Sequence, residues 1–521
     1  MNILGIGGIL DEAASAVLID GRLAAACEEK KIARYAQPGR LPAASIDACL
    51  RSSGIDASKV DCVAVVRPIG PETALHLELR NRFPNAQIVL VDHHTAHAAS
   101  AFFASGFEEA TVLTLDREGD LRCGARWRGH GPHLDLDREL YFPDSLGDFY
   151  SRVTALLGFT PNGEEHKVQW LSTAGDNRFV AVFEEVLSSS SDLPRLDRSA
   201  FDSQQITHGF STRFLARLGL AGDTKVPDSL KPHIAAGLQR AVEGTVLHLA
   251  GSGENLALAG GLAFNALLIA ALEHSERWKN VFVQPVSGNA GTAIGAVLHA
   301  WHHVHRHSSR AEMDTLFLGP AFSAEDIKQV LENCKLRFRY LLTTGELVST
   351  AVRELADSRI IAWMQGAMEF GPRALGNRSI LASPLNPYST ENLNVFIKHR
   401  EPFRKFAASI PAELTDQYFD VGPNARFLAT VGRVKSAHRK TFESAVLGQD
   451  LVRVHSVRKQ DNPLYWELLH AAGKASGLPV LYNTSFNLFG DPLVCSPRDA
   501  VRSFYSSGID SLFAGNFFLQ K

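Results

Sequence analysis

Two histidines and an aspartate have the residue types and spacing of metal ligands. His93 and His97 are four residues apart in HHTAHAASAFF, so on a helix their imidazoles share one face while His94 points elsewhere. Asp116 ends the run TVLTLD, which has the composition of a strand. Two imidazoles and a carboxylate suit Fe(II), Zn(II) or another divalent ion that keeps open coordination positions. The alternative is a helix start at which the histidines only cap and hydrogen-bond locally.

Glycine-bearing turns follow two later β-rich runs. ALAGGLAFN contains Gly260, Gly261 and Asn265, and QPVSGNAGTAIGA contains Asn289. Glycine lets the backbone approach a ligand closely, and the N-terminus of the following helix favours phosphate. Two such turns facing each other hold the nucleotide in actin-like ATPases and sugar kinases, although tight turns also need glycine for steric reasons alone. Lys167, upstream in GEEHKV, is either a phosphate contact or a solvated surface charge.

Cations are concentrated in the last third of the chain. Arg373 lies in the turn-rich stretch GPRALGNRS, and Lys398 and Arg404 lie in NVFIKHREPFRKFAAS, interleaved with phenylalanines. Such a patch favours a polyanion, either ATP with a small phosphate or RNA stacked on the phenylalanines. The alternative is a solvated basic face. Asn483 and Ser485, in LPVLYNTSFN, follow a strand and could bind a small polar group or an adenosine edge.

These residues need elements that bring them together, and the chain alternates β-rich runs with helical stretches. The runs predicted as buried strands are Ile3–Ile6, Ala16–Ile19, Cys62–Val66, Ile88–Val91, Thr111–Leu115, Leu256–Leu258 and Val281–Val283. Ala43–Ser52 and Pro232–Leu249 carry apolar residues at helical spacing. The alternation predicts a layered α/β architecture with ligands at the carboxyl ends of strands.

Length and composition predict two domains in a soluble protein. The 521 residues are about three times the ~150 typical of one domain. The composition changes at HHVHRHSS, which is either a metal site or the basic end of a helix leading into a linker. We place the boundary there, with domains at 1–310 and 315–521. Ser323 is predicted to cap the helix that opens the second domain.

Charge and cysteine usage exclude several classes. The formal net charge of −3 argues against a cationic surface that binds nucleic acid nonspecifically. The six cysteines include no CxxC pair, which favours a reducing cytoplasm over a disulfide framework. The amino-terminal residues have the pattern of a strand rather than a signal peptide, and Leu256–Leu272 is short and interrupted by glycine. We therefore predict a cytoplasmic location and no membrane partner.

The motifs together resemble one family along residues 1 to 521. HHTAHAASAF, LTLD, LALAGGLAFN, GPRALGNRS, the pair Lys398/Arg404 and YNTSFN occur in the order and spacing of the antibiotic-type O-carbamoyltransferases. That family includes the enzymes of tobramycin and cephamycin biosynthesis and a nodulation-factor carbamoyltransferase. GPRALG combined with the downstream lysine–arginine pair is a specific combination, and HHxxHAASA is nearly as specific.

The resemblance implies a second domain similar to YrdC-type proteins. This domain would consume ATP, with Mg²⁺, and carbamoyl phosphate to form carbamoyl adenylate. Arg373, Lys398 and Arg404 would hold the phosphates and the carbamate, with Asn483 and Ser485 assisting. Joining carbamate, a poor electrophile, to AMP creates a good leaving group.

The resemblance implies an actin-like ATPase (ASKHA) fold, with two duplicated α/β halves, for the first domain. His93, His97 and Asp116 would hold an iron ion at which the carbamoyl group moves to a hydroxyl of a small secondary metabolite. Gly260, Gly261 and Asn265 would line the adenosine site. The acceptor is the one small-molecule partner implied, and a homodimer is possible.

The sequence departs from the family pattern in three places. Asn289 stands where relatives have a metal-ligating aspartate, and an amide should weaken or change the metal preference. The usual HDAS is replaced by the sequence that starts at Asp11, so Asp11, His94 or another residue would act as the base. KLMGLA is replaced by the sequence that starts at Lys167. Two alternatives therefore stay open: a nucleotide-binding regulatory protein with an impaired transfer site, and a threonylcarbamoyl-type RNA-modifying enzyme, which the net charge disfavours.

Overall fold

The first five strands form a mixed sheet at the amino-terminal end. The computed structural model describes residues 1–67, 72–187, 193–202, 208–220, 225–488 and 490–521. The strands are β1 (Asn2–Gly7), β2 (Ala14–Ile19), β3 (Arg22–Glu28), β4 (Cys62–Val66) and β5 (Gln87–Val91). Their order is β3-β2-β1-β4-β5, with β1 to β3 antiparallel and β1, β4 and β5 parallel.

The next five strands repeat this arrangement. They are β6 (Glu109–Gly119), β7 (Arg122–His130), β8 (His133–Tyr141), β9 (Gly253–Ala259) and β10 (Trp278–Val283). Their order, β10-β9-β6-β7-β8, is an antiparallel meander followed on the other side by two parallel strands, as in the first sheet. The repeated order defines the duplicated actin-like ATPase fold, which confirms the predicted class.

Helices cover both sheets. They are α1 (Glu29–Ala33), α2 (Ala43–Ser53), α3 (Glu72–Arg82), α4 (His93–Phe102), α5 (Leu146–Leu156), α6 (Glu165–Ser172), α7 (Val180–Val186), α8 (Thr212–Arg217), α9 (Lys231–Ala250), α10 (Ala266–Glu273) and α11 (Thr292–His299). Helices α4 and α11 pack against each other, and a Cβ at Gly295 would come within 1.8 Å of the Ala96 carbonyl oxygen. Small residues therefore let the helix that carries His93 lie close to its neighbour.

The carboxyl-terminal part is built on one ten-stranded sheet. The strands are β11 (Arg339–Tyr340), β12 (Ile361–Met364), β13 (Arg378–Ala382), β14 (Ala407–Pro411), β15 (Phe419–Asp420), β16 (Val431–Val434), β17 (Leu451–Val457), β18 (Leu481–Ser485), β19 (Ser511–Ala514) and β20 (Phe517–Gln520). Their order is β11-β20-β19-β12-β13-β18-β14-β17-β16-β15. The helices are α12 (Ala324–Asn333), α13 (Thr344–Ala356), α14 (Ser389–Asn392), α15 (Thr415–Tyr418), α16 (Pro463–Ser476) and α17 (Pro497–Tyr505). As predicted, Ser323 caps α12, in a capping box with Asp326.

The two parts share a core. Leu316, Phe370 and Leu375 pack in the same buried cluster as strands of the first sheet, and the Ala26 amide donates to the Leu318 carbonyl at 2.9 Å. The prediction of a buried strand at Ile88–Val91 is wrong, because β5 lies at the edge of its sheet, with Leu90 exposed and Ile88 and Val89 only partly buried. Across the described ranges, every helix is too short or too polar to cross a bilayer.

Candidate active site

The imidazoles and the carboxylate predicted as metal ligands converge on one point. His93 and His97 occupy successive turns of α4, and their Nε2 atoms are 3.1 Å apart. Asp116 Oδ2 lies 3.0 Å from the first Nε2 and 3.1 Å from the second. Asp116 sits where the pairing of β6 with β7 shifts register, between Leu115 and Gly119. This irregularity leaves the backbone of Asp116 outside the regular β6–β7 pairing, and its side chain lies toward α4.

The donor set fits a divalent transition metal. One ligand atom from each of the three residues lies within 4.8 Å of the others. Burial alone would raise the pKa of Asp116, yet the hydrogen bonds from the two imidazoles hold it well below its ordinary value. A buried carboxylate that stays charged beside two nitrogen ligands is the chemistry that Fe(II) or Zn(II) prefers.

The group formed by His93, His97 and Asp116, which we call the triad, opens into a cavity of about 750 Å³. Both parts of the chain line this cavity. His93 and Asp116 lie on its wall, together with Asn289 from the second glycine turn. Arg373 and Pro372, from the carboxyl-terminal part, lie on the same wall. The metal-type ligands and the first predicted phosphate-binding arginine therefore face one continuous space.

Arg373 belongs to a cluster of half-buried guanidinium groups. Burial, with the charge of Arg404 beside it, lowers the pKa of Arg373 to about 10. Burial lowers the pKa of Arg400 to about 9, and Arg404 adds to the shift. Arg453, on β17, has its pKa lowered well below the ordinary value by burial and by the other three arginines. Several partly desolvated cations close together favour binding of an anion, and a planar guanidinium suits phosphate and carboxylate groups.

Phe406, one of the phenylalanines among these cations, offers no stacking surface, whereas Phe396 is 62% exposed. Phe406 is 1% exposed, and the Arg400 guanidinium lies 4.2 Å from its ring centroid. The ring is therefore part of the packing that holds the arginine. Phe406 is therefore not available to stack on an RNA base.

Lys398 is buried beside the YNTSFN strand end. Its ammonium group donates to the Ser485 carbonyl at 2.5 Å and to the Asn487 side-chain oxygen at 2.7 Å. The Ser485 hydroxyl donates to the same Asn487 oxygen at 2.6 Å. Burial, with Arg400 and Arg404 close by, lowers the pKa of Lys398 well below its ordinary value.

Asn483 supports the turn that carries Arg373. Its amide nitrogen donates to the Ala374 carbonyl at 3.0 Å and to the Ser409 hydroxyl at 3.2 Å. Its side-chain oxygen is buried and has no hydrogen-bond partner among the described residues. The buried Glu369 carboxylate holds the same turn by accepting the amides of Leu375, Asn377 and Arg378. Arg373 thus projects from a segment fixed by buried polar groups.

An ion pair from the amino-terminal part also holds this turn. The Lys31 ammonium lies 2.9 Å from Glu28 Oε1 and donates to the Glu369 carbonyl at 3.0 Å and to the Gly371 carbonyl. Glu28 in turn accepts the Gly371 amide at 2.9 Å. Only 9% of the Lys31 side chain and 13% of the Glu28 side chain are exposed.

Replacing Lys31 with methionine should lower the free energy of unfolding by about 3–5 kcal/mol, because Glu28 would be left buried without its cation. Urea denaturation measures this change. The double variant Lys31→Met/Glu28→Gln is the control, since it buries no unpaired charge and should recover part of the loss. A single variant as stable as wild type would contradict the assignment of a buried pair.

The first glycine turn brings the backbone close to Asp116. Gly260 has φ +96°, and a Cβ there would come within 2.2 Å of the Leu115 carbonyl oxygen. Gly261 and Asn265 line the cavity. The Asn265 side chain caps α10 and is also hydrogen-bonded to the Gln239 amide. Its side chain is therefore held in one position on the wall of the predicted adenosine site.

The structure separates the two predicted bases. Asp11 lies on the cavity wall, whereas His94 is 1% exposed, does not line the cavity and has its Nδ1 2.9 Å from the Thr114 hydroxyl. Burial, with the two neighbouring histidines, lowers the pKa of His94 to about 3. Glu12, which the sequence did not single out, also lines the cavity, and its carboxylate lies against the turn at Gly288.

Lys167 binds carboxylates in this structure. Its ammonium group lies 2.7 Å from Glu164 and 2.5 Å from Glu401, which belongs to the carboxyl-terminal part. His166, beside it, lines the cavity, and burial with the charges of Arg404 and Arg373 lowers its pKa to about 3. Lys167 thus joins the two parts at the edge of the guanidinium cluster.

Four residues of this region were not among those predicted from the sequence: Glu12, His166, Arg453 and Asn487. A signal was present for two of them. Arg453 interrupts the apolar run LVRVHSV, and Asn487 ends the YNTSFN motif.

Two family models together match most of this chain. Residues 71–298 match the family described as "Carbamoyltransferase N-terminus", and residues 352–521 match "Carbamoyltransferase C-terminus". The chain is 30% identical to nodulation protein NolNO of Sinorhizobium fredii, over 98% of this chain and 79% of that protein. The chain therefore belongs to the carbamoyltransferase family and is an enzyme of the transferase class.

Two further similarities are weaker. A 3'-hydroxymethylcephem-O-carbamoyltransferase of Amycolatopsis lactamdurans is 29% identical, over 52% of this chain and 49% of that enzyme. Among solved structures, HypF of T. kodakarensis aligns with a TM-score of 0.36 and 14% identity, over 58% of this chain and 48% of that one. At this score the fold description rests on the strand order of the chain itself.

Proposed function

We propose that this protein forms carbamoyl adenylate from ATP and carbamoyl phosphate at the guanidinium cluster. It then transfers the carbamoyl group to a hydroxyl of a small secondary metabolite at the triad. The observation that carries this proposal is the single cavity lined by His93, Asp116 and Arg373. A labile mixed anhydride made at one end can reach the other without leaving the protein, which limits its hydrolysis.

The first half-reaction suits the guanidinium cluster. Carbamoyl phosphate is hydrolysed to carbamate and phosphate, a carbamate oxygen bonds to the α-phosphorus of Mg²⁺–ATP, and pyrophosphate leaves. Arg373, Arg404 and Lys398 hold the phosphates and the carbamate, and their charges offset the negative charge of the transition state. Because Lys398 is buried and hydrogen bonds fix the turn that carries Arg373, little reorganisation accompanies the reaction.

In the second half-reaction the acceptor oxygen bonds to the carbamoyl carbon, and the bond to the AMP oxygen breaks. Asp11 and Glu12, both on the cavity wall, are the carboxylates placed to receive the hydroxyl proton. Gly260, Gly261 and Asn265 form the wall proposed for adenosine. A divalent ion held by His93, His97 and Asp116, with Asn289 as a further oxygen ligand, would supply Lewis-acid stabilisation.

The test is the exchange of labelled pyrophosphate into ATP. With carbamoyl phosphate present, wild-type protein should exchange the label, because adenylate formation is reversible. Omitting carbamoyl phosphate should stop the exchange. A folded preparation that shows no exchange with both substrates present would refute the first half-reaction.

A further inference from the structure

Three large and partly exposed apolar side chains belong to the cavity wall, and we call them the apolar rim. They are Leu10, Leu121 and Phe142, which are 43%, 77% and 42% exposed. All three line the cavity that contains His93 and Asp116. Single exposed apolar residues are ordinary on a protein surface, but a group of them at the mouth of a reactive cavity marks a ligand-binding surface.

Leu121 is held there at a conformational cost. Gly119 pairs with Arg122, so Asp120 and Leu121 form the two-residue turn between β6 and β7. Their φ angles are +54° and +69°, and such turns favour glycine at the second position because a branched side chain is strained there. Leu121 gains no burial in return. A strained and exposed leucine is better explained by contact with a ligand than by folding.

The rim is coupled rigidly to the reacting groups. Leu121 and Asp116 belong to the same β6–β7 hairpin, and Phe142 donates its amide to the Leu121 carbonyl at 2.9 Å. Leu10 directly precedes Asp11, a proposed base. One molecule can therefore place its apolar group on the rim and its hydroxyl in the cavity beside the triad. The cavity volume is within the range that holds a small molecule.

We infer that the acceptor is an alcohol with an apolar chain or ring next to the carbamoylated hydroxyl, and that Leu10, Leu121 and Phe142 select it. This inference rests on the proposed function and adds the substrate class. The other occupant that could cover such a surface is a second copy of this chain, and the experiment below separates the two.

The probes are ethanol, 1-butanol and 1-hexanol, offered as acceptors with saturating ATP and carbamoyl phosphate. For wild-type protein, kcat/KM for alkyl carbamate formation should rise with chain length, by about two- to fourfold for each methylene placed on the rim. Leu121→Gly should reduce the preference for hexanol over ethanol. Because glycine relieves the strained φ, the same variant should melt at a higher temperature than wild type. If Leu121 had only a structural role, its replacement would not lower the chain-length preference while raising the melting temperature.

Leu136→Ser is the matched control. Leu136 is also 43% exposed and lies on β8, but it does not line the cavity, so its replacement should leave the chain-length preference unchanged. An equal kcat/KM for all three alcohols in wild type, or an unchanged preference in Leu121→Gly, would overturn the inference. Adenylate formation without transfer to any of the alcohols would also overturn it.

Two further outcomes are distinguishable. If pyrophosphate exchange is absent, the proposed function fails and the inference falls with it. If light scattering shows a wild-type dimer that Leu121→Gly converts to a monomer, the rim is an interface between copies, and the acceptor assignment is wrong.

Discussion

Replacing Arg373 with alanine is expected to lower carbamoyl-phosphate-dependent pyrophosphate exchange by about 100- to 1,000-fold, the usual effect of losing one fixed charge-stabilising donor. Arg373 is the member of the guanidinium cluster on the cavity wall, and Arg404 lies close enough to lower its pKa. Its turn is fixed by Glu369 and Lys31, so the loss of the side chain should not be compensated by movement. Initial rates of label incorporation into ATP measure the effect.

Two comparisons make the result specific. Arg439→Ala, at an exposed arginine of the same part of the chain, should keep wild-type exchange. Arg373→Lys should fall between alanine and wild type, because lysine keeps the charge but not the planar fork of donors. Exchange by Arg373→Ala at the wild-type rate would remove Arg373 from the first half-reaction.

Much of the site could be predicted because its signals are local. The i,i+4 spacing of His93 and His97 places both rings on one helical face whatever the fold around them. Asp116 was identified because it ends a strand-like run, and ligands gather at the carboxyl ends of strands. The glycines at 260 and 261 signalled a close backbone approach, which Gly260 shows through its positive φ and its contact with Leu115.

The missed features depend on contacts between distant parts of the chain. Lys31 and Gly371 are 340 residues apart, and nothing in the short helix at Glu29–Ala33 indicates that it holds the turn that carries Arg373. The burial of Arg453 is set by its neighbours on β14 and β16 rather than by its own strand pattern. The edge position of β5 was missed for the same reason, since IVLV has the composition of a buried strand wherever it lies.

Replacing His93 with alanine should separate the two half-reactions. The variant loses one of two imidazoles that, with Asp116, lie within 3.1 Å of each other, so the metal should be lost on purification. Transfer to an alcohol should fall with it. Pyrophosphate exchange should persist, because the guanidinium cluster lies on a different part of the chain. Elemental analysis of the purified protein, beside both rate assays, measures these outcomes.

His94→Asn is the matched control for this variant. His94 is adjacent in sequence, but its ring bonds Thr114 and faces away from the cavity, and asparagine can keep a hydrogen bond to that hydroxyl. The control should therefore retain both metal and transfer. Stoichiometric metal in His93→Ala would contradict the ligand assignment, whereas loss of exchange together with transfer would show that the two clusters act as one site rather than in sequence. If the guanidinium cluster forms the adenylate and the triad transfers the carbamoyl group, His93→Ala must retain pyrophosphate exchange and lose transfer.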